Sequence, residues 1–312
     1  MKLLLDGQLT DSREAVISVY DHGFLYGMGL FETFRTYGGR PWLLRRHAER
    51  LAEACAAMGI SYGPDPDAMA AGVALLLEAN GLADAYIRWS VSAGSGEVGL
   101  PAGEYEAPRE IVYAKPLAAD DPSTRPGKTL RLLRLRRTRP ENGELRLKSF
   151  HYMNNIAAKR ELRAGGASAS TEGLFLNERD EVVEGLVSNV FWVRDGALYT
   201  PSLETGPLAG VTRAYVLEQA SQAGLICHEG KYAWNDLLRA DECFVTNSIQ
   251  EIVPVVAVQE PDGQPARGPG GSDGFASNRA DADAIDAAGA PGPWTRRLMT
   301  AYRAAAEKGD EA

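Results

Sequence analysis

The sequence has few cysteines and no long apolar run, and each shortage excludes a class of protein. Its three cysteines, Cys55, Cys227 and Cys243, have no short metal-ligand spacing, so the sequence predicts neither a metal site nor a disulfide framework. We expect buried free thiols in a reducing compartment. Near the N-terminus only three leucines follow one another before an Asp-Gly turn, which predicts neither a signal peptide nor a membrane span. The expected location is the cytoplasm.

The chain also lacks an excess of positive charge. Its formal net charge is −9 and its sequence pI is about 5.1, which argues against binding to nucleic acid or an anionic membrane, because both need a basic face. We expect a small-molecule substrate instead. With 312 residues, 45% of them apolar, the chain is long enough for two hydrophobic cores.

The first part of the sequence predicts a small α/β domain. Apolar residues recur at spacings of three and four over residues 43–58 and 69–82, which is typical of amphipathic helices. A strand ends near residues 111–113, and residues 115–128 are rich in Pro, Asp and Ser. We therefore predict an N-terminal domain over residues 1–118 and a linker over residues 119–127.

The remaining residues, 128–312, predict a larger α/β domain. Strand-like runs cover residues 130–135, 173–177, 182–193 and 243–247, and helical patterns cover residues 154–164, 212–223 and 294–307. Residues 260–291 are rich in Gly, Ala, Asp and Pro, a composition that buries little apolar surface. We predict a flexible surface insertion there.

Lysine is scarce, which draws attention to the setting of Lys148. The sequence has seven lysines and 26 arginines. Lys148 follows Glu144-Leu145-Arg146-Leu147, which is interpreted as the end of a strand, and precedes a helical pattern. It is therefore predicted at the end of an element, where a desolvated amine can act as a nucleophile. The alternative is an ordinary solvated surface charge.

Glu184 is a second candidate, because strand alternation places it on the same face as Val182 and Leu186. A carboxylate between apolar neighbours needs a cation, and a protonated pyridine nitrogen is one cation that would satisfy it. The alternative is an edge-strand carboxylate that faces water.

Two further turns are predicted to bind an anion. Gly210 precedes a helix that begins near Thr212, and free backbone N–H groups at a helix start attract anions. A hydroxyl-rich turn, Thr246-Asn247-Ser248, follows an apolar run, and Arg50 lies on the first predicted helix. Each turn alone is also typical of a simple cap or loop.

Taken in order, these residues resemble the fold-type IV pyridoxal-phosphate enzymes, a group that contains branched-chain aminotransferases, D-amino-acid aminotransferases and 4-amino-4-deoxychorismate lyases. The resemblance spans nearly the whole chain except the insertion. The motifs that carry it are DHGFLYG (21–27), FET (31–33), HAERL (47–51), LKS (147–149), EG (184–185), SNVF (188–191), LAGVTR (208–213), and Glu251 with Pro254.

The resemblance implies pyridoxal 5'-phosphate (PLP) as the cofactor and a homodimer of α/β (α+β, two-domain) subunits with a barrel-like sheet in the larger C-terminal domain. Lys148 matches the lysine that forms a Schiff base with PLP and moves protons, and Glu184 matches the carboxylate on the pyridine nitrogen. The residues that match the phosphate site are Arg50, Val211, Thr212, Asn247 and Ser248.

Substrate contacts must decide the reaction, because PLP serves transamination, elimination and racemisation alike. D-amino-acid aminotransferases hold the substrate carboxylate with an Arg-x-His pair, and Val98 and Leu100 stand at those positions here, which argues against D-amino acids. Arg88, in the Tyr86-Ile87-Arg88 strand, is similar to a strand of branched-chain enzymes and is a candidate carboxylate ligand, although a structural ion pair is an equal alternative.

Three stretches favour the 4-amino-4-deoxychorismate lyases. They are DHGFLYG with LFETFR (30–35), KSFHYMNN (148–155) and YTPSL (199–203). We therefore expect a lyase that releases pyruvate and 4-aminobenzoate for folate synthesis, with Arg88, Phe31 and Tyr86 as substrate contacts. The alternatives are an aminotransferase of the same fold and, from another class, a PLP-binding protein without turnover.

Overall fold

The computed structural model describes residues 1–101, 103–117, 120–140, 143, 145–266 and 291–309. The chain forms two units, and each is discontinuous in sequence. Unit 1 contains Met1–Ala119, Leu147–His151 and Ala305–Ala312. Unit 2 contains Asp120–Arg146 and Tyr152–Ala304. The domain boundaries at residues 118 and 128 stay a prediction.

Unit 1 contains a six-stranded sheet in which every neighbouring pair is antiparallel. The strand order is β2-β1-β6-β5-β3-β4. The strands are β1 (Lys2–Leu5), β2 (Gln8–Asp11), β3 (Gly29–Tyr37), β4 (Arg40–Pro41), β5 (Ala85–Ser92) and β6 (Arg109–Pro116).

The helices of unit 1 are α1 (His22–Tyr26), α2 (Leu44–Ala57) and α3 (Pro66–Asn80). The two predicted amphipathic helices are confirmed as α2 and α3. Helix α3 begins before the predicted start because Asp65 accepts a hydrogen bond from the N–H of Asp67 and Pro66 occupies the first helical position. It ends at Gly81, whose φ of 62° is left-handed.

Strands β3 and β5 present different residues on their two faces. Leu30, Phe34, Ile87 and Trp89 belong to the buried core, against which α2 and α3 pack. Strand alternation places Phe31 and Arg88 on the opposite face. One face of the sheet thus builds the core, and the other carries candidate substrate contacts.

Unit 2 contains an eight-stranded sheet of order β12-β11-β10-β13-β14-β7-β8-β9. Its strands are β7 (Lys128–Leu132), β8 (Thr171–Leu176), β9 (Val182–Gly185), β10 (Asn189–Arg194), β11 (Ala197–Pro201), β12 (Ile226–Gly230), β13 (Glu242–Asn247) and β14 (Glu251–Gln259). The pairs β11–β12, β14–β7 and β7–β8 are parallel, and the other pairs are antiparallel. Strand β9 at one end also lies close to β10, so the sheet curls into a half-barrel.

Unit 2 contains the helices α4 (Met153–Ala164), α5 (Val211–Gln222) and α6 (Trp234–Leu237) and most of α7 (Pro293–Lys308). The predicted α/β class and the barrel-like sheet are confirmed.

The single strand predicted over residues 182–193 is wrong, because the chain turns back after Gly185. The N–H of Gly185 donates to the carbonyl of Ser188 at 2.7 Å. A Cβ at Gly185 would collide with the Ser188 hydroxyl, so a larger residue there would displace that hydroxyl from its hydrogen bond to Glu172. The apolar run therefore supplies two neighbouring elements, β9 and β10.

The beginning of the predicted insertion is part of the core of unit 2. Ala266 is 1% exposed, and Gln259 forms an isolated bridge with Pro265. Residues 267–290 of the predicted flexible insertion lie outside the described residues.

Cys55 and Cys243 are buried free thiols, as predicted, whereas Cys227 is a free thiol that is only partly buried. Burial raises the pKa of Cys55 to about 12, so this thiol stays protonated. Among the helices that the structure describes, none is long and apolar enough to cross a membrane.

Candidate active site

Lys148 lies in the short extended segment Leu147–His151, which pairs with β3 in unit 1. The N–H of Phe31 donates to the Lys148 carbonyl at 2.9 Å, and the N–H of Phe150 donates to the Gly29 carbonyl at 2.9 Å. A Cβ at Gly29 would collide with the Phe150 ring, so glycine allows this close approach. The backbone on both sides of Lys148 is therefore fixed.

The amine of Lys148 and the guanidinium of Arg88 contact the same buried ring. Lys148 Nζ lies 4.7 Å from the centroid of the Phe31 ring, and Arg88 Cζ lies 3.5 Å from it. Arg88 Nε donates to the Ser90 hydroxyl at 3.2 Å. No carboxylate among the described residues pairs with Arg88, so the structural ion pair considered above is absent there. Two cations on one ring form a suitable place for a substrate carboxylate.

Tyr86 lies on the same face of β5 as Arg88, two residues earlier. Its ring contacts Lys115, whose Nζ lies 4.7 Å from the centroid. Tyr86 is therefore near the Phe31–Arg88 pair along β5. The Tyr86 ring itself is in contact with the ammonium group of Lys115.

Arg50 is held by a buried acid of β3. Arg50 Nε and Nη2 donate to the two carboxylate oxygens of Glu32 at 2.7 and 2.6 Å. His47, one turn earlier on α2, donates from Nδ1 to Glu32 at 2.7 Å. Glu32 and His47 are each 1% exposed. Sequence reasoning quoted Glu32 and His47 only as parts of motifs and gave neither a role.

The charges in this cluster are set by burial and by the arginine. Burial alone would raise the pKa of Glu32, but the charges and hydrogen bonds of Arg50 and His47 outweigh it and lower this pKa to about 2. Burial lowers the pKa of His47, and the charges of Arg50 and Lys148 add to that effect against the opposing charge of Glu32. Glu32 is thus an anion and His47 is neutral near pH 7.

In unit 2, Glu184 is buried on β9 and already has partners. Its Oε1 accepts from Arg137 Nε at 2.8 Å, and Arg146 Nε lies 3.6 Å from the same oxygen. Its Oε2 accepts from the N–H of Leu208 at 2.9 Å. A carboxylate offers about four lone-pair positions, so room remains for one more donor. The edge-strand alternative, a carboxylate in water, does not hold.

Arg137 links Glu184 to the start of α4. Its Nη1 donates to the side-chain oxygens of Asn154 and Asn155 at 2.9 and 3.0 Å. Its guanidinium also lies 5.0 Å from the centroid of the Phe175 ring. Sequence reasoning missed Arg137, and the only signal was its place in an arginine-rich stretch between residues 131 and 139.

The two turns that were predicted to bind an anion meet in unit 2. The hydroxyls of Thr212 and Ser248 lie 3.1 Å apart. Val211 begins helix α5, whose N-cap, Gly210, supplies no side-chain hydrogen bond to the first N–H groups. A Cβ at Gly210 would collide with the Asn189 side chain. The hydroxyl of Thr246, which is 1% exposed, has no hydrogen-bond partner among the described residues.

Asn247 shapes the second turn with its side chain. Its Oδ1 accepts from the N–H groups of Ile249 and Gln250 at 3.0 and 2.8 Å. Glu251 follows with a left-handed φ of 62° and is bound by Arg125 at 3.2 Å and Arg303 at 2.6 Å. These arginines hold an unfavourable backbone conformation in place.

A comparison with protein-family models identifies the family to which this chain belongs. The family model of "Amino-transferase class IV" matches residues 29–258, which contain all the candidate residues described above. The chain belongs to the class IV aminotransferase family.

Known class IV proteins of two activities are similar to this chain. It is 41% identical over 261 residues to the aminodeoxychorismate lyase of Bacillus subtilis (strain 168), with 83% of this chain and 87% of the relative covered. It is 34% identical over 261 residues to a putative branched-chain-amino-acid aminotransferase of Methanocaldococcus jannaschii, with 83% and 88% covered. The crystal structure of the branched-chain aminotransferase of Thermoproteus uzoniensis with norvaline is 28% identical and has a TM-score of 0.80, with 100% of this chain and 96% of that chain covered.

The class IV chain described here is a PLP-dependent enzyme. Its residues fit the cofactor on structural grounds. The paired hydroxyls of Thr212 and Ser248 lie at the start of α5, which has no side-chain cap, and this arrangement suits a phosphate group. The buried hydroxyl of Thr246, two residues before Ser248, has no hydrogen-bond partner among the described residues. A buried carboxylate with a remaining acceptor position, Glu184, suits a protonated ring nitrogen.

Proposed function

We propose that this class IV enzyme is a 4-amino-4-deoxychorismate lyase, which converts 4-amino-4-deoxychorismate to 4-aminobenzoate and pyruvate for folate synthesis. The observation that carries the proposal is the identity of 41% to a lyase, against 34% to an aminotransferase over the same length. A branched-chain aminotransferase is the second candidate, supported by that relative and by the Tyr86-Ile87-Arg88 strand.

In this proposal Lys148 holds PLP as a Schiff base, and Glu184 pairs with its ring nitrogen. The phosphate contacts are Arg50, Val211, Thr212, Asn247 and Ser248. The substrate contacts are Arg88, Phe31 and Tyr86.

The chemistry needs a base beside the carbon that carries the amino group. PLP, when bound, supplies an electron sink conjugated to that carbon. The Lys148 amine, freed when the substrate's amino group takes its place on the cofactor, would remove the proton from C4 of the substrate. The C–O bond of the enolpyruvyl ether then breaks, the ring becomes aromatic, and the departing enolpyruvate takes up a proton to become pyruvate. The reaction is balanced without an oxidant or an amino acceptor.

Arg88 and Phe31 would orient the substrate for this proton transfer. The guanidinium is stacked 3.5 Å from the centroid of the Phe31 ring, which restricts its motion, and its terminal nitrogens can bind a carboxylate in two places. Lys148 contacts the same ring, so a carboxylate on Arg88 would bring the substrate towards the amine.

The test is to give the purified holoenzyme 4-amino-4-deoxychorismate, without any keto acid, and to measure 4-aminobenzoate and pyruvate. Equal amounts of both products support the lyase. An absence of both, together with conversion of branched-chain amino acids in the presence of 2-oxoglutarate, overturns it in favour of the second candidate. Lys159→Ala should give the same amounts of both products as the unchanged enzyme, because Lys159 is an exposed lysine on α4.

We also propose a homodimer. Unit 1 exposes large apolar side chains close together in sequence, with Val16, Val19 and Phe24 being 74%, 67% and 68% exposed. Such side chains are typical of surfaces that associate. Sedimentation should give twice the chain mass of 33.6 kDa, and a monomer at micromolar concentration would overturn the proposal.

A cytoplasmic location also remains a proposal. It is supported by the three free cysteines, which suit a reducing compartment, and by the net charge of −9, which disfavours nucleic acid and anionic membranes as partners. Cell fractionation tests it: the enzyme should be found with cytoplasmic markers, and recovery with membranes would overturn it.

A further inference from the structure

A buried acid and a buried histidine of unit 1 lie behind Arg50. Glu32 accepts three hydrogen bonds, two from Arg50 and one from His47, all between 2.6 and 2.7 Å. Glu32 and His47 are each 1% exposed, whereas the Arg50 side chain is 17% exposed. The arginine is thus the member of the cluster that solvent or a ligand can reach.

We infer that Glu32 is a positioning residue that fixes the guanidinium of Arg50 for the cofactor phosphate, and that His47 in turn fixes Glu32. This inference rests on the proposed function, because it takes Arg50 as a phosphate contact. Neither Glu32 nor His47 needs to touch the cofactor.

The geometry of the pair gives the physical reason. Glu32 binds Nε and Nη2 of Arg50 with its two oxygens, so the guanidinium and the carboxylate form two parallel hydrogen bonds. An unpaired arginine would lose much side-chain freedom when it binds a phosphate, and the pair removes that freedom beforehand. The N–H donors of Arg50 are then already oriented when the phosphate binds.

The histidine completes the arrangement without competing for charge. His47 occupies one acceptor position on Glu32 Oε2 and packs against Phe34, with ring centroids 5.3 Å apart. As a neutral donor, His47 hydrogen-bonds to the carboxylate without neutralising it, so the negative charge of Glu32 interacts with Arg50. A second cation at this position would weaken the pair by repelling Arg50.

The test compares two ligands that differ only in the phosphate, PLP and pyridoxal. Both can form a Schiff base with Lys148, so their dissociation constants from the apoenzyme can be measured by absorbance. The ratio of the two constants defines the phosphate selectivity. Glu32→Gln removes the ion pair and places an amide N–H donor against the N–H donors of Arg50 or His47. It should therefore weaken PLP binding and lower the phosphate selectivity about tenfold or more. Pyridoxal binding should stay within about twofold, which also shows that the variant folds.

Four further variants keep the outcome unambiguous. Glu32→Asp, which keeps the charge but shortens the side chain, should also lower the selectivity and serves if Glu32→Gln does not fold. Glu110→Gln is the matched control, since Glu110 is a half-buried acid of unit 1 that accepts hydrogen bonds from Tyr62 and from Trp89, neither of them an arginine. It should leave the selectivity unchanged. His47→Asn, whose amide can replace the Nδ1 donor, should keep more selectivity than His47→Phe.

Arg50→Ala separates the inference from the proposed function. If Arg50→Ala keeps wild-type selectivity, the phosphate assignment of Arg50 is wrong. If Arg50→Ala loses selectivity but both Glu32 variants keep it, or lose PLP and pyridoxal affinity equally, the positioning role of Glu32 is overturned. In the double variant, Glu32→Gln should add no further loss to Arg50→Ala.

Discussion

Single side chains set the chemistry of this enzyme through the partners that hold them. Lys148 contacts the Phe31 ring, Arg88 stacks on that ring, and Glu184 is bound by Arg137. Each candidate group is therefore fixed by a neighbour before any ligand arrives, which lowers the entropic cost of binding and of reaching the transition state.

Arg88 is predicted to bind the substrate and to have no role in binding the cofactor. Arg88→Gln should lower kcat/KM by about 100-fold, which is typical for the loss of a charged hydrogen-bonding partner, while PLP absorbance stays unchanged. Steady-state kinetics with a spectrum of each preparation measure both effects. Arg109→Gln is the control, because this partly exposed arginine of the same unit pairs with Asp6. Equal kinetics for Arg88→Gln and the wild type would show that Arg88 has no substrate role.

Glu184 is predicted to support the rate more than the retention of the cofactor. Glu184→Gln keeps a side chain of the same shape, so it should keep the absorbance of the Schiff base but lower kcat by about 100-fold or more, because a neutral amide cannot stabilise a protonated ring nitrogen. Arg137→Met should lower kcat as well, since it frees the carboxylate. A Glu184→Gln enzyme with wild-type kcat would contradict the pairing.

At the level of elements, strand ends and helix starts depend on side chains from distant parts of the chain. Glu242 on β13 accepts hydrogen bonds from the N–H groups of Trp294 and Thr295 at 3.0 and 2.8 Å, and from the Thr295 hydroxyl at 2.7 Å. The carboxylate therefore caps helix α7 from a strand about fifty residues earlier in the chain.

Removing this cap should destabilise the protein. Glu242→Ala leaves the buried N–H of Thr295 and the part-buried N–H of Trp294 without this partner and should lower the free energy of unfolding by about 2 kcal/mol. Urea unfolding followed by circular dichroism measures the change. Glu204→Ala, which removes a carboxylate that is 74% exposed, should stay within about 0.5 kcal/mol of the wild type. If the two variants unfold at the same urea concentration, the cap contributes nothing.

Local sequence patterns predicted the elements better than they predicted the contacts between them. The period of three and four identified α2, and the Gly-Val-Thr turn located the start of α5 to within one residue. Two features could not be predicted this way. The pairing of Leu147–His151 with β3 joins residues about 120 positions apart, and the arginine that binds Glu184 was one of several in its stretch. Both are long-range contacts, which local sequence propensities do not determine.

At the level of the whole molecule, buried charge links stability to pH. The pKa of Glu32 is lowered to about 2, and burial lowers that of His47 from its usual value of 6.5. The unfolded chain therefore binds more protons than the folded one when the pH falls below about 6.5, and stability decreases with falling pH. The contribution of His47 is lost first, and that of Glu32 is lost from about pH 4.5 towards about pH 2.

His47→Asn separates the two windows. Asparagine does not titrate, so this variant should lose less stability than the wild type between pH 6.5 and pH 5, by up to about 1.4 kcal/mol per pH unit. Urea unfolding at a series of pH values gives the comparison. Parallel curves for the two proteins in that interval would show that His47 is not held neutral in the folded state.

The whole molecule should carry its cofactor on one of seven lysines, and chemical trapping identifies which one. The holoenzyme is reduced with borohydride, which fixes the Schiff base as a stable amine, and is then digested and analysed by mass spectrometry. We predict the phosphopyridoxyl group on the peptide that contains Lys148, and no such group or Schiff-base absorbance in Lys148→Ala. Label on any other lysine, or an unchanged spectrum in Lys148→Ala, would contradict the role of Lys148.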